Sequence, residues 1–145
     1  MMNPGFSEDS FASSVSNASD DGWRGSGKVL VVEDEETVRS TVEKILVALG
    51  FTVVLAVDGQ DGVVKFAHDP GGFCLVLLDL TMPRLDGVQV FTELRRISPG
   101  IRVLLMSGYG EQEATARFWG KGLDGFVQKP FGVEALKHAM KVGLA

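Results

Sequence analysis

Cysteine occurs once in this 145-residue chain, at Cys74, and a single thiol excludes an internal disulfide framework. Cys74 lies in an apolar run and reads as a small core residue rather than a nucleophile. The two histidines, His68 and His138, fall on predicted helices without a metal-spaced neighbour, so both read as surface residues. No apolar run approaches the roughly 18 residues of a membrane span, and the N-terminus lacks the basic and apolar regions of a secretory signal. A cytoplasmic location is the expectation. Positive charge is also short. A net charge of −5, with no lysine/arginine stripe, argues against a nucleic-acid footprint. What is present is ordinary for a globular protein, with 45% hydrophobic and 23% charged residues, in a length suited to one domain.

Residues 1–26, rich in Ser, Asp, Asn and Gly, show no sustained periodicity. Such a segment buries too little apolar surface to offset its ordering entropy, which predicts a flexible tail or linker. Phe6, Phe11 and Trp23 within it are candidates for docking on a partner. From Gly27 the pattern changes, and residues 27–145 form the folded unit. "KVLVV" (Lys28–Val32), "FTVVLA" (Phe51–Ala56), "FCLVLL" (Phe73–Leu78), "RVLLM" (Arg102–Met106) and "GFVQ" (Gly125–Gln128) read as strands buried on both faces. Helical spacing follows each one: Val38 to Leu49 stopped by Gly50, a stretch after a capping Asp58, Val88 to Leu94, Ala114 to Trp119, and Phe131 to Val142. Five strand–helix units predict an α/β fold, a parallel sheet covered by helices on both faces. In such sheets ligands sit outside the carboxyl ends of the strands, where strand order reverses.

The residues at those ends form a set. The first strand ends in Glu33 and Asp34, the third in Asp79, the fourth in Ser107, and Lys129 follows the fifth, its backbone restrained by Pro130. A carboxylate at the end of the run Leu75–Leu78 is costly unless something pairs with it. Two unit charges about 4 Å apart repel by about 4 kcal/mol at an effective dielectric near 20, so either a pKa rises or a cation enters. A hard divalent ion such as Mg²⁺ suits the second solution, and Lys129 adds positive charge beside Asp79. The constellation reads as phosphoryl-transfer machinery: Asp79 as nucleophile, Mg²⁺ on Glu33 and Asp34, Lys129 against the phosphoryl oxygens. Taken singly, the residues are unremarked. Glu33 and Asp34 are then helix-capping acids, Ser107 a turn residue and Lys129 a solvated surface lysine, while Asp86 and Gly87 read as turn residues.

The chain resembles the receiver domains of two-component response regulators, the family of CheY. The matching pieces are "VLVVEDEE", "LVLLDLTMPRLDG", "LLMSGYG" and "GFVQKPF", each at a predicted strand end and in the right order from about Lys28 onward. The resemblance implies a flavodoxin-like (βα)5 sandwich with strand order 2-1-3-4-5, an order for which a receiver is a standard example. It implies Asp79 as phosphoacceptor, Glu33 and Asp34 as the acidic pocket, and the Thr81 backbone carbonyl as a third protein ligand of Mg²⁺. It further implies Ser107 as the hydroxyl that turns toward the phosphoryl group, Lys129 as the cation, and Phe126 as the aromatic that swings inward. Two positions depart from the commonest pattern. Glu33 stands where Asp is usual, and its extra methylene favours the outer shell of the metal. Ser107 stands where Thr is frequent, which keeps the hydroxyl and loses a methyl that restricts its rotamer.

The implied partners are a histidine kinase or histidine phosphotransfer domain as donor, and a downstream protein or a second copy on the face of the fourth helix, fifth strand and fifth helix. With an end near Ala145 the expectation is that output comes from a partner or from the rest of a larger protein, and "SGY" with the Gly/Ser entry resembles receivers behind hybrid sensor histidine kinases. A free-standing regulator and a piece of such a kinase both remain open at this point, and in neither is the isolated domain an enzyme. A small phosphatase with an aspartyl-phosphate intermediate is the alternative, although Thr81 stands where its acid/base Asp is expected. FMN binding on the same sheet order is disfavoured, because Glu33, Asp34, Glu35 and Glu36 would repel the phosphate.

Overall fold

In a computed structural model the described residues are 22–80, 86–118 and 120–145. They form β1 (Lys28–Val32), α1 (Glu36–Ala48), β2 (Thr52–Ala56), α2 (Gly59–His68), β3 (Phe73–Asp79), α3 (Gly87–Ile97), β4 (Val103–Ser107), α4 (Glu111–Thr115), β5 (Gly125–Gln128) and α5 (Val133–Leu144). The sheet is parallel throughout, with strand order β2-β1-β3-β4-β5, the doubly wound arrangement expected from the sequence.

The three inner strands β1, β3 and β4 read as apolar runs because both faces are covered, while the edge strands β2 and β5 are only half-buried. On β1, Val29 and Val31 face α1 and α5, while Leu30 and Val32 face the opposite layer. On β3, Leu75 and Leu77 go one way and Val76 and Leu78 the other. On β4, Leu104 and Met106 oppose Val103 and Leu105 in the same manner. The period-2 alternation is thus preserved, with both phases apolar. Opposite α1 and α5, the layer of α2, α3, α4 and the turn after it contributes Phe66, Val90, Phe91, Leu94, Ala114 and Phe118.

Helix ends are set by local chemistry. Gly50, at φ +110°, donates its N–H to Val47 O while Phe51 donates to Leu46 O, a Schellman closure that stops α1. That closure uses the Phe51 N–H, so β2 begins at Thr52, one residue later than the apolar pattern suggests. Asp58 caps α2 by accepting from the Asp61 N–H. Asp86, taken as a turn residue from the sequence, caps α3 in a reciprocal box with Gln89. Gly87 is demanded by space: a Cβ there would lie 2.7 Å from the Leu80 carbonyl oxygen.

Other boundaries move by small amounts. β4 runs to Ser107 rather than Met106, because the Lys129 N–H donates to Ser107 O at 2.7 Å and prolongs the ladder. Phe131 packs on the core from the loop, and α5 starts only at Val133, after Gly132. The fourth helix is short. Its α-helical part covers Glu111–Thr115, and a 3₁₀ turn follows over Ala116–Phe118. The expected end at Trp119 lies outside the described residues.

Part of the expected tail is tied down. Trp23 packs against Phe51 at 6.0 Å between ring centroids, and the Gly25 N–H donates to Leu49 O at 2.8 Å. The ring of Phe51 lies directly over Gly25, where a Cβ would meet it at 2.0 Å. Cys74, expected in the core, is half-buried, with its thiol facing the Ser26 carbonyl.

Candidate phosphoacceptor site

Parallel strands deliver their carboxyl ends to one edge, and there the structure brings together four of the residues singled out from the sequence. Glu33 and Asp79 are buried to 0% and 3% exposure, while Asp34 is exposed. One carboxylate oxygen from each of the three lies within 4.8 Å of the others. Lys129 reaches in from the loop after β5, donating to Asp79 Oδ1 at 3.2 Å and lying 2.8 Å from Glu33 Oε1. The Lys129–Pro130 peptide bond is cis.

Each position follows from the fold. Asp79 is the last residue of β3, two beyond Leu77, so the carboxylate emerges where the apolar layer ends. Glu33 follows β1, and its Oε2 accepts the Glu35 N–H at 3.1 Å, which turns the side chain back over the start of α1. Arg39 donates to the Glu33 carbonyl oxygen at 2.8 Å and secures the same turn. Nothing in the linear order singles out Arg39; its role comes from the first helical turn passing beneath Glu33.

The electrostatics are those of crowded like charges. Burial pushes the Asp79 carboxyl up to about 7, with the Glu33 charge adding to the rise and the Lys129 ammonium opposing it. For Lys129, burial works against the charged form, but its pairing with Glu33 and Asp79 outweighs that and holds the ammonium above its usual range. One cation does not balance the set. Glu33 Oε1, although ion-paired, is a buried oxygen without a hydrogen bond. A group of oxygen donors with an unsatisfied member, open to solvent at Asp34, fits a hard divalent cation of the Mg²⁺ type. Thr81, whose carbonyl is the expected third ligand, lies outside the described residues.

The remaining two residues are close by. Ser107, buried at the end of β4, accepts the Tyr109 N–H on its Oγ at 2.9 Å. Phe126 pairs in register with Leu105, and Ser107 with Gln128, so Phe126 lies on the same side of the sheet as Ser107, one step back along the neighbouring strand. Phe126 is half-buried, packed on the layer that holds Leu105 and Phe118.

Residues 29–141 match the family model described as the response regulator receiver domain. The chain belongs to that family. Receivers are signalling modules rather than classical enzymes, they bind Mg²⁺ at an acidic pocket, and they interact with histidine kinases or phosphotransfer proteins; this receiver carries the corresponding acidic cluster. It is 33% identical over 117 residues to sensor kinase CckA of Brucella abortus, a match covering 81% of this chain and 12% of the kinase. It is 32% identical over 115 residues to chemotaxis protein CheY of Bacillus subtilis, covering 78% of this chain and 93% of that protein. Against response regulator MprA of Mycolicibacterium vanbaalenii it spans about half, 48%, of the relative's length. Among solved structures, CheY4 of Vibrio cholerae shares the fold at a TM-score of 0.75 and 24% identity, covering 83% of this chain and all of that one (100%). The CheX–CheY complex of Borrelia burgdorferi with BeF3 and Mg²⁺ matches at 0.74 and 27%, covering 80% of this receiver and 88% of that chain. No helix among the described residues is long and apolar enough to cross a membrane.

Proposed function

We propose that this receiver accepts a phosphoryl group on Asp79 from the phosphohistidine of a histidine kinase or histidine phosphotransfer domain, and that the modification is read on the α4–β5–α5 face. The observation that carries the reading is the carboxylate trio, buried at Glu33 and Asp79 and open at Asp34, with Lys129 donating to Asp79 at the carboxyl edge of the sheet. A carboxylate oxygen of Asp79 attacks phosphorus, the bond from phosphorus to the donor imidazole breaks, and an acyl phosphate forms on the aspartate. Asp34, short and exposed, and Asp79 would hold Mg²⁺, with the Thr81 carbonyl as the third protein ligand that the family resemblance implies. Glu33 acts from the outer shell, since one of its oxygens is turned to the Glu35 N–H and the other to Lys129. When bound, the metal supplies positive charge against the carboxylates and the phosphoryl oxygens. Lys129 provides the second cationic contact from its own side of Asp79.

Phosphorylation takes the Asp79 group from −1 to about −2 and adds acceptor oxygens, which favours recruitment of a nearby donor. Ser107 is that donor. Its Oγ already accepts from Tyr109 and so has its own hydrogen to give. The room vacated as it turns lies on the Phe126 side of the sheet, and Phe126 rotates into it. The relation to CheY supports a unit of roughly residues 27–145 acting alone, and that to CckA supports the same unit working beside a kinase in a cytoplasmic phosphorelay. The segment up to Ser26 then serves as the linker leading in. The test is phosphoryl transfer from acetyl phosphate or a kinase, with and without Mg²⁺, read by intact mass. A mass gain of one phosphoryl group that needs Mg²⁺ is expected. No gain under any donor, or turnover of a small phosphate ester, would overturn the reading.

A further inference from the structure

Arg95, near the end of α3, holds the turn between α4 and β5. Its Nε donates to Ile101 O at 2.9 Å, Nη1 to Lys121 O at 3.2 Å, and Nη2 to both Gly122 O at 3.0 Å and Asp124 Oδ2 at 3.1 Å. The guanidinium lies 4.7 Å from the centre of the Phe91 ring, and Phe91 meets Phe118 edge-on at 5.3 Å. Asp124 carries the constraint onward: its Oδ2 accepts the Val103 N–H at 2.8 Å and its own N–H donates to Val103 O at 2.9 Å. A single planar fork thus ties the start of β4 to the turn that leads into β5.

The position of that turn matters for what comes next. β5 is four residues long, and Phe126 is its second. Beside Phe126 is a cavity of about 330 Å³ lined by Phe118, Gly120, Leu123 and Asp124, with Glu111 and Thr115 of α4 opposite. The clamped turn forms one wall, and the short α4 forms another. With the turn fixed, Phe126 can change position only by its own rotation and by movement of α4. With the turn released, β5 itself can shift.

We infer that Arg95 is a positioning residue for the switch: by clamping the α4–β5 turn it holds Phe126 in its resting place and sets how far phosphorylation must shift the balance. The inference rests on the proposed switching role of Ser107 and Phe126. It locates regulation in α3, the helix that follows the phosphoacceptor strand. A ligand or modification shifts a two-state element only by its differential effect on the two states, so loosening the resting state raises the other population without phosphate.

The experiment uses the full chain and records backbone amide shifts of Gly125–Gln128 with and without acetyl phosphate and Mg²⁺. Arg95→Met keeps the aliphatic packing on Phe91 and removes every donor. In the unphosphorylated variant, these resonances should move at least a third of the way along the line from unphosphorylated to phosphorylated wild type. Its phosphorylation rate should stay within about twofold. Arg95→Lys, which keeps the charge but lacks the fork, should move them by a smaller amount and serves if the methionine variant does not fold. Resonances that stay at their wild-type positions, or leave that line while only the unfolding midpoint falls, would overturn the inference. Wild-type resonances that ignore phosphorylation would instead remove the switch reading beneath it.

Discussion

Lys129 and Arg95 are both half-buried cations beside a carboxylate, with side-chain exposures of 21% and 23%, yet the two assemblies are balanced in opposite ways. Arg95 faces one carboxylate and three carbonyl oxygens, and four of its five N–H donors are engaged. Lys129 faces Asp79 and Glu33 with Asp34 nearby, so negative charge is left over. The exposure of the two cations does not distinguish them, and neither does distance. The carboxylates do, at 4% and 0% side-chain exposure for Asp79 and Glu33 against 32% for Asp124, and so does charge balance. A satisfied polar network rigidifies, whereas an unsatisfied one retains free energy to spend on a ligand or a reaction.

The largest effect expected concerns the unbalanced side. Asp79→Asn should abolish phosphoryl uptake from acetyl phosphate, since an amide oxygen is a poor nucleophile. Intact mass of the treated variant is the measurement, and a wild-type-sized mass gain would assign the chemistry elsewhere.

Stability should show the same imbalance. The folded Asp79 carboxyl titrates near 7 against an ordinary 3.8, so between those values the folded state binds more protons than the unfolded one. The Asp79 contribution to stability is therefore fully present below about pH 4 and is lost as pH rises through about 7. At about 1.4 kcal/mol per unit the loss is on the order of 4 kcal/mol without metal. Urea unfolding across this range should reveal the decline, and Asp79→Asn should flatten it. A difference between wild type and Asp79→Asn that does not fall from pH 4 to 7 would contradict the crowding of carboxylates. Saturating Mg²⁺ should also flatten the decline, by supplying the missing positive charge.

A finer division lies within the acidic set. Asp34→Asn should weaken Mg²⁺ binding by tenfold or more in calorimetric titration, and Glu33→Gln by about threefold or less, because Glu33 Oε2 is turned to the Glu35 N–H and Oε1 is ion-paired with Lys129. Equal losses would place Glu33 in the inner coordination sphere.

The smallest effect belongs to the opposite end of the sheet. Trp23→Ala should lower unfolding free energy by about 1 kcal/mol through loss of its partly buried contact with Phe51. Phosphorylation and Mg²⁺ affinity should be unchanged. A change in either would mean that the entry segment communicates with the site.

Much of this was readable from linear order. An apolar run ending on Asp79, followed by Gly87 and helical spacing, marks a buried strand delivering a carboxylate to an edge. Glu33 and Asp34 after the first strand, Ser107 at the end of the fourth and Lys129 after the fifth repeat the theme. The fourth helix was less legible, since Ala114 and Phe118 keep helical spacing whether the turn between them is α or 3₁₀. The docking of Trp23 was hidden because composition around it is that of a linker, and its partner Phe51 belongs to another element.

Periodicity and residue type are properties of neighbours in the chain, and they determined the alternation of strands and helices, the two-sided burial of the sheet, and the carboxyl-edge location of the acids. Which charges meet is a property of neighbours in space. Only the tertiary structure decided that Lys129 lies closer to Glu33 than to Asp79, that Arg39 secures the Glu33 carbonyl, and that Arg95 clamps a turn far along the chain. A long cationic side chain carries no periodic signal of its own. Its partner is chosen by the fold that brings donors and acceptors within reach, and its worth by how much charge is left unpaired when they meet.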